Sequence, residues 1–484
     1  MQADQTQVWA PPPPPVASSN GHRKPAGGSA LAHPQGDWAL VRELANLVGD
    51  RLTEVITTRE QLGKQLTEVD KRELGRTLIE RELQTLIRSR AESGQATPLA
   101  AEEDWLRQAV FAVQFGMGRL EALVADPDIE NIIINGHDRV QLWYADGRKV
   151  PGPPVADSEE ELRELINRIG TRLGSAERSL TPSNVRFRMS LPDGSRMSAV
   201  AYVTPRTQVA IRRHPIADAS LADMVDMGMI SRSMHAFLGA LMRRRMSTLV
   251  VGPQEGGKTS LMRSMLHELP PSVRFATIES EYELNLHADA QRHPWVLPLE
   301  ARPGSAEKFG AADITLSDLV QCALGQATSL LAVGEVLGDE IIPMFNAMMA
   351  GGSGVATLHA ETARDAFSRM AVLCGQANGM PAPTAYRLAA AAVKYVVVVN
   401  MVDERGVGGR VHRFVREIVR IGAVGENGLP DFEYVYAAGE DGRGLPQQKS
   451  ATDVMTLRRV GFDPNWLDPA NGGWERPLEL MVAE

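Results

Sequence analysis

A chain of 484 residues is too long for one ordinary domain, and 43% hydrophobic with 23% charged residues is the balance of a soluble globular protein. Its formal charge of -9 argues against non-specific affinity for nucleic acid or anionic lipid as the main activity. Cys322 and Cys374 are the only cysteines, too few for a disulfide framework and in keeping with a reducing compartment.

Residues 1–36 are rich in Pro, Gly, Ser and Ala and form a disordered tail in this reading. The proline run 11–15 cannot serve as an apolar signal core, so the protein is expected to stay inside the cell. From Trp38, apolar residues recur at helical spacing through Val55 and again through Ile87, which predicts an amphipathic helical segment over 37–99. Its plain role is a packing cap; a docking element for a partner is the sharper alternative. An α+β N-terminal domain is expected over 100–213, with a helix over 106–123, a short strand over 131–134, a helix over 159–173 and a hairpin around Asp193-Gly194. His214-Pro215 opens a linker over 214–230.

Over 231–425 apolar strands alternate with helices: 248–251, 275–278, 330–333, 355–358 and 395–399. That alternation predicts an α/β sheet covered by helices on both faces. Arg243, Arg244 and Arg245, the one compact basic triplet, stand at the end of a helical segment, where they complement its dipole. The two longest apolar stretches, 316–333 and 388–402, are interrupted by polar residues and read as buried helix plus strand, not as membrane spans. A hairpin is expected around 411–421, followed by a polar, Gly- and Pro-rich C-terminal extension over 426–484.

Gly252-Pro253-Gln254-Glu255-Gly256-Gly257-Lys258-Thr259 satisfies G-x-x-x-x-G-K-[ST], with a strand before it and a helix after it. Such glycines turn backbone N–H groups toward phosphate oxygens, and the following helix presents its positive end. Gly252, Gly256, Gly257, Lys258, Thr259 and Ser260 are therefore candidate ATP-binding residues. Lys258 is placed to reach the β and γ phosphates, and the Thr259 hydroxyl to ligate Mg²⁺. A glycine-rich strand-to-helix turn that binds nothing is the competing reading. Opposite such a loop an acidic group is needed for the metal's water shell and the attacking water. Glu335 ends the strand 330–333 and is a candidate for both tasks. Glu279, Glu281 and Glu283 cluster after the strand 275–278, and His359 follows 355–358; each also has a plain reading, as a polar turn or a helix cap.

These segments, in this order, resemble the Walker A, Asp box, Walker B and His box of the ATPases of type II and type IV secretion. Thr277-Ile278-Glu279 with Glu283-Leu284, Val333-Gly334-Glu335-Val336 and Thr357-Leu358-His359-Ala360 are similar to that family's box sequences. Ala125-Asp126-Pro127 with Ile132 to Gly136, Leu191 to Arg196, and Ile211-Arg212-Arg213 resemble the N-terminal domain of its CpaF/TadA branch, found in tight-adherence pili. The resemblance covers about 100–420. It implies a RecA-like P-loop core behind a smaller N-terminal domain, Mg²⁺-dependent ATP hydrolysis, and catalytic roles for Glu279, Glu283, Glu335 and His359. It also implies a homo-oligomer in the form of a hexameric ring, cytoplasmic and peripheral to the inner face of the membrane. That ring would drive pilus assembly or secretion through an inner-membrane platform protein, with N-terminal arginines, assigned here as Arg196 and Arg213, neutralising the phosphates.

Several positions depart from the family pattern: Ser280 replaces the Asp box aspartate, Leu337 an arginine, Glu255 a glycine and Gly256 a serine. These departures leave a second reading open, a structural ring subunit of the same fold that hydrolyses ATP poorly. A nucleic-acid motor is the third reading. Net acidity and the lack of interleaved basic and aromatic residues oppose it, so no direct nucleic-acid partner is expected.

Overall fold

The computed structural model describes residues 36–63, 66–144, 147–173, 179–191, 193–213, 219–302, 313–425, 428–447 and 454–481. The tail expected over 1–36 lies outside these residues up to position 35, as do His214-Pro215 and the first residues of the expected linker. By internal contacts the chain divides into two units. One runs to Gln114 and includes Glu121–Asp126; the other comprises Phe115–Leu120 and Pro127–Glu484.

The first unit is helical. Helix α1 (Trp38–Gln61) starts on Asp37, whose carboxylate accepts the N–H of Leu40 at 3.0 Å, and α2 (Glu68–Glu92) starts on a capping box between Thr67 and Asp70. Helix α3 (Ala100–Phe115) joins them through one apolar cluster that includes Val41, Val48, Leu83, Leu106 and Ala109. Trp38 meets Trp105 edge-on at 5.4 Å. The continuous helix expected over 106–123 is interrupted: α3 ends at Phe115, Gly118 takes φ 57, and a short α4 (Leu120–Ala125) follows. A glycine in the left-handed region does not continue a helix.

The second unit carries two sheets. Strands β1 (Ile129–Asn135), β2 (Val140–Tyr144) and β3 (Lys149–Gly152) precede α5 (Glu159–Leu173), which keeps the bounds the sequence predicts. Strands β4 (Arg186–Ser190), β5 (Arg196–Val200) and β6 (Gln208–Arg212) then complete an antiparallel sheet of order β3-β2-β1-β6-β5-β4. The segment read as a linker also carries structure. Ser220 and Asp223 form a capping box for α6 (Leu221–Asp226), whose Leu221 and Met224 are buried in the next core.

That core surrounds nine strands. In chain order they and their helices are α7 (Arg232–Arg243), β7 (Thr248–Gly252), α8 (Lys258–Leu266), β8 (Phe275–Glu279), β9 (Val296–Glu300), α9 (Leu316–Leu324), β10 (Leu330–Val333) and α10 (Ile341–Met349). There follow β11 (Ser353–His359), α11 (Ala363–Asn378), α12 (Ala382–Ala392), β12 (Tyr395–Asp403), β13 (Val411–Val424), β14 (Pro430–Ala438), β15 (Gly444–Pro446) and the short α13 (Val454–Arg458). The sheet order is β15-β14-β13-β12-β7-β11-β10-β8-β9. Pairing is parallel from β12 to β9 and antiparallel from β12 to β15. This is the RecA-like α/β core. One face is covered by α6, α7 and α8, the other by α9 to α12, and each face has its own buried cluster. The parallel strands inside the edge strand β9 are buried on both faces, which is why they read as unbroken apolar runs.

Two expectations change here. The segment 411–421 is not a hairpin but most of the 14-residue β13, the middle strand of an antiparallel meander. The stretch after 425, read as a polar extension, adds β14 and β15 to the same sheet and buries Tyr436, Leu457 and Phe462. Both apolar stretches are helix plus strand, and among the described residues no helix is long and apolar enough to cross a membrane.

Candidate functional site

The P-loop leaves β7 at Gly252 and enters α8 at Lys258, with Gly257 as N-cap at φ 87. A Cβ on Gly252 would lie 2.6 Å from the carbonyl oxygen of Val399 on neighbouring β12, so the close approach requires glycine there. Glu255 also takes a left-handed conformation, φ 62, and Arg413 Nε donates to its carbonyl at 2.7 Å. The first turn of α8 holds Lys258, Thr259 and Ser260 and no acidic residue, so its N–H groups and dipole favour an anion.

Register brings the next group alongside. His359, the last residue of β11, pairs with Gly252 of β7. Lys258 Nζ, buried, donates to the Pro253 carbonyl at 2.8 Å and stands 3.1 Å from His359 Nδ1. His359 Nε2 lies 2.7 Å from Glu335 Oε1. An ammonium only donates, so Nδ1 accepts from Lys258 and the Nε2–H donates to the carboxylate. Burial holds the Lys258 ammonium below the usual lysine range, while the charges of Glu335 and Glu283 pull the other way. An incoming phosphate would supply the negative charge that this desolvated cation lacks. Glu335 sits on a turn fixed by Thr357 Oγ1, which donates to Gly334 O at 2.6 Å, and by Gly334 N–H, which donates to Ile278 O at 2.9 Å. Its side chain and that of His359 keep 37% and 45% of their exposure, enough to meet a ligand.

Glu279 is held differently. It is buried at the end of β8, its Oε1 accepts the N–H groups of Glu283 and Leu284 at 2.9 and 2.8 Å, and its Oε2 has no hydrogen-bond partner among the described residues. Burial outweighs those two bonds and pushes its pKa up to about 7. Arg263 donates to the Glu283 carbonyl, and Arg196 of β5 makes ion pairs with Glu281 at 2.9 Å and Glu283 at 3.3 Å. Arg196 thus meets the carboxylates of the loop after β8. Arg213 lies 3.7 Å from Asp193. Its chain neighbour Arg212 reaches the P-loop instead, 3.5 Å from the Glu255 carboxylate. The resemblance points to Arg213, but β6 ends at Arg212, and it is Arg212 that makes an ion pair at the loop. Arg413 was missed outright; it stands on β13, far from any box sequence.

The donor set fits Mg²⁺ held with a nucleotide. Thr259 and Glu335 supply a hydroxyl and a carboxylate, and such an ion keeps waters and phosphate oxygens for its other positions. Among the described residues no group of three or more His, Cys, Asp or Glu could hold a metal alone.

Residues 155–414 match the model of the family described as Type II/IV secretion system protein, more than half of the chain. The chain belongs to this family. Among family relatives, the type IV secretion system protein PtlH of Bordetella pertussis is 28% identical over 345 residues, 64% of this chain and 95% of PtlH. The putative conjugal transfer protein Rv3659c of Mycobacterium tuberculosis is 28% identical over 58% of this chain and 79% of its own. An uncharacterized protein of Methanocaldococcus jannaschii is 26% identical over 53% of this chain, which spans only 45% of that longer relative. The X-ray structure of the Legionella pneumophila ATPase DotB is similar at 16% identity and TM-score 0.46, covering 64% of this chain and 81% of DotB.

Proposed function

We propose that this secretion-family chain is an ATP-hydrolysing motor that works as a ring of identical copies on the cytoplasmic face of a membrane, driving secretion or pilus assembly through a membrane partner. Its membership of the family supports the setting. The observation that carries the chemistry is the continuous contact from the P-loop cation Lys258 through His359 to the partly exposed carboxylate of Glu335.

In this reading Lys258 turns from Pro253 and His359 to the β and γ phosphates, which rest on the N–H groups of the α8 first turn. Bound Mg²⁺ would neutralise phosphate charge, with Thr259 and Glu335 among its holders. Glu335 orients the attacking water and accepts its proton; His359, released by Lys258, keeps the carboxylate in position. Glu279 braces the 280–284 loop so that Glu283 faces the site. Arg212, whose guanidinium stands at the loop, neutralises the Glu255 carboxylate there. The pilus branch that the sequence resembles remains the preferred setting.

Phosphate release from Mg²⁺-ATP by the purified chain tests this directly. Lys258→Ala should lose about a hundredfold or more in turnover, as removal of one preorganised charge donor does elsewhere. Equal, well-above-background rates in the two proteins would reject the site.

A further inference from the structure

The phosphate cradle accounts for one end of a nucleotide only. In the strand order β13-β12-β7-β11-β10, Glu335 follows β10 on one side of the P-loop strand, and the beginning of β13 lies on the other. A nucleotide whose terminal phosphate meets Lys258 and Glu335 therefore directs its nucleoside toward β13. A cavity of about 480 Å³ lies there, within the range of small-ligand sites. It shares a wall with the P-loop: Arg413 lines it and donates to the Glu255 carbonyl, and a Cβ on Gly257 would come within 3.5 Å of Arg413 Cδ.

Residues 474–479, well past position 414 where the family match ends, line the cavity as well. This segment is tied down on both sides. Ser233 Oγ donates to Gly472 O at 2.9 Å, Glu475 Oε1 accepts the Arg232 N–H at 3.0 Å, and Met481 N donates to Glu404 at 3.0 Å. Trp474 Nε1 donates to Gly444 O at 2.8 Å, and the Arg443 guanidinium lies 4.5 Å over the indole while donating to Arg476 O at 2.9 Å. The lining combines the aromatic groups of Trp474 and Phe414 and the apolar Met227 and Val411 with five arginines against three carboxylates. Aromatic and guanidinium groups suit the π-face of a base, and a net positive lining suits the ribose next to its phosphates.

We propose that this cavity receives the nucleoside of bound ATP and that the C-terminal segment 474–479 completes it, so that nucleotide affinity depends on chain beyond the family-matched region. The inference rests on the nucleotide reading of the P-loop. Its test is calorimetric titration with two probes, ATP and inorganic tripolyphosphate, at fixed Mg²⁺. The proteins are the full chain, a chain ending at Gly473, and Trp474→Ala. The shortened chain keeps Leu457, Phe462 and Leu467 in the core, and Trp474→Ala carries the test if it fails to fold. Both variants should weaken ATP binding about tenfold or more while holding tripolyphosphate within about twofold of the full chain. Folded variants that bind ATP as the full chain does, or that lose both probes equally, would overturn the proposal. A full chain that binds neither probe would reject the P-loop reading itself, and the nucleoside site with it.

Discussion

The ends of β8 and β10 carry the same chemistry in sequence, a glutamate at the tip of an apolar parallel strand, yet the fold uses them in opposite ways. Glu279 is buried, accepts two backbone N–H groups and is pushed up to about 7. Glu335 stays partly exposed, bonded to His359 and through it to Lys258. A carboxylate becomes a brace when the loop after it folds back over its oxygens, as 280–284 does. It becomes available to a ligand when the turn after it is held by neighbouring strands and leaves it outside, as Thr357 and Gly334 do for Glu335. Strand-end position alone does not separate the two.

That contrast has a pH signature. Folding raises the Glu279 carboxyl from the ordinary 4.5 to about 7, so the folded chain holds a proton that the unfolded chain gives up between those values. Its contribution to stability is complete below pH 4.5 and is lost as the pH rises to about 7. Glu279→Gln removes this titration and still offers an oxygen to the two N–H groups. In thermal melts at pH 5 and pH 8, its midpoint should gain on the wild type by a few degrees at the higher pH. Glu335→Gln, at a half-buried position whose carboxylate reaches the surface, should shift stability by less than about 1 kcal/mol at either pH. A constant offset for Glu279→Gln would mean that the carboxylate is not buried as described.

A smaller effect is expected at Glu255. If its carboxylate faced the phosphates, Glu255→Gly would tighten ATP binding about tenfold; a carboxylate turned to an arginine would leave binding nearly unchanged. The structure has the second arrangement, with the arginine supplied by the chain's own β6, not by a neighbouring subunit. Glu255→Gly should therefore change ATP affinity by less than about threefold, read by titration with a fluorescent ATP analogue. The exposed pair with Arg212 and the relief of a positive φ are both small and opposed. A tenfold tightening would place the carboxylate in the cradle.

Much of this was legible in the residues. The inner parallel strands are buried on both faces and so appear as apolar runs, α5 carries a clear helical period, and the P-loop sequence announces its own turn. What was lost has physical reasons. Gly118 breaks a helical pattern that is otherwise continuous, and periodicity does not register a single positive φ. In β14, Phe432, Tyr434 and Tyr436 alternate with the strand period, a signal masked by the glycines and prolines on either side. Arg212, Arg413 and Trp474 reach one neighbourhood only because β6, β13 and the C-terminal segment converge beside the P-loop, and no spacing along the chain encodes that meeting.

The most direct test of this division of labour is multiple-turnover phosphate release from saturating Mg²⁺-ATP by the wild type, Glu335→Gln and Glu279→Gln, side by side. With the amide in place of the partly exposed carboxylate, Glu335→Gln should bind ATP and fall about a hundredfold or more in turnover, while Glu279→Gln should stay within about tenfold of the wild type. Wild-type turnover in Glu335→Gln beside an inactive but folded Glu279→Gln would contradict the account and move the catalytic carboxylate to the end of β8.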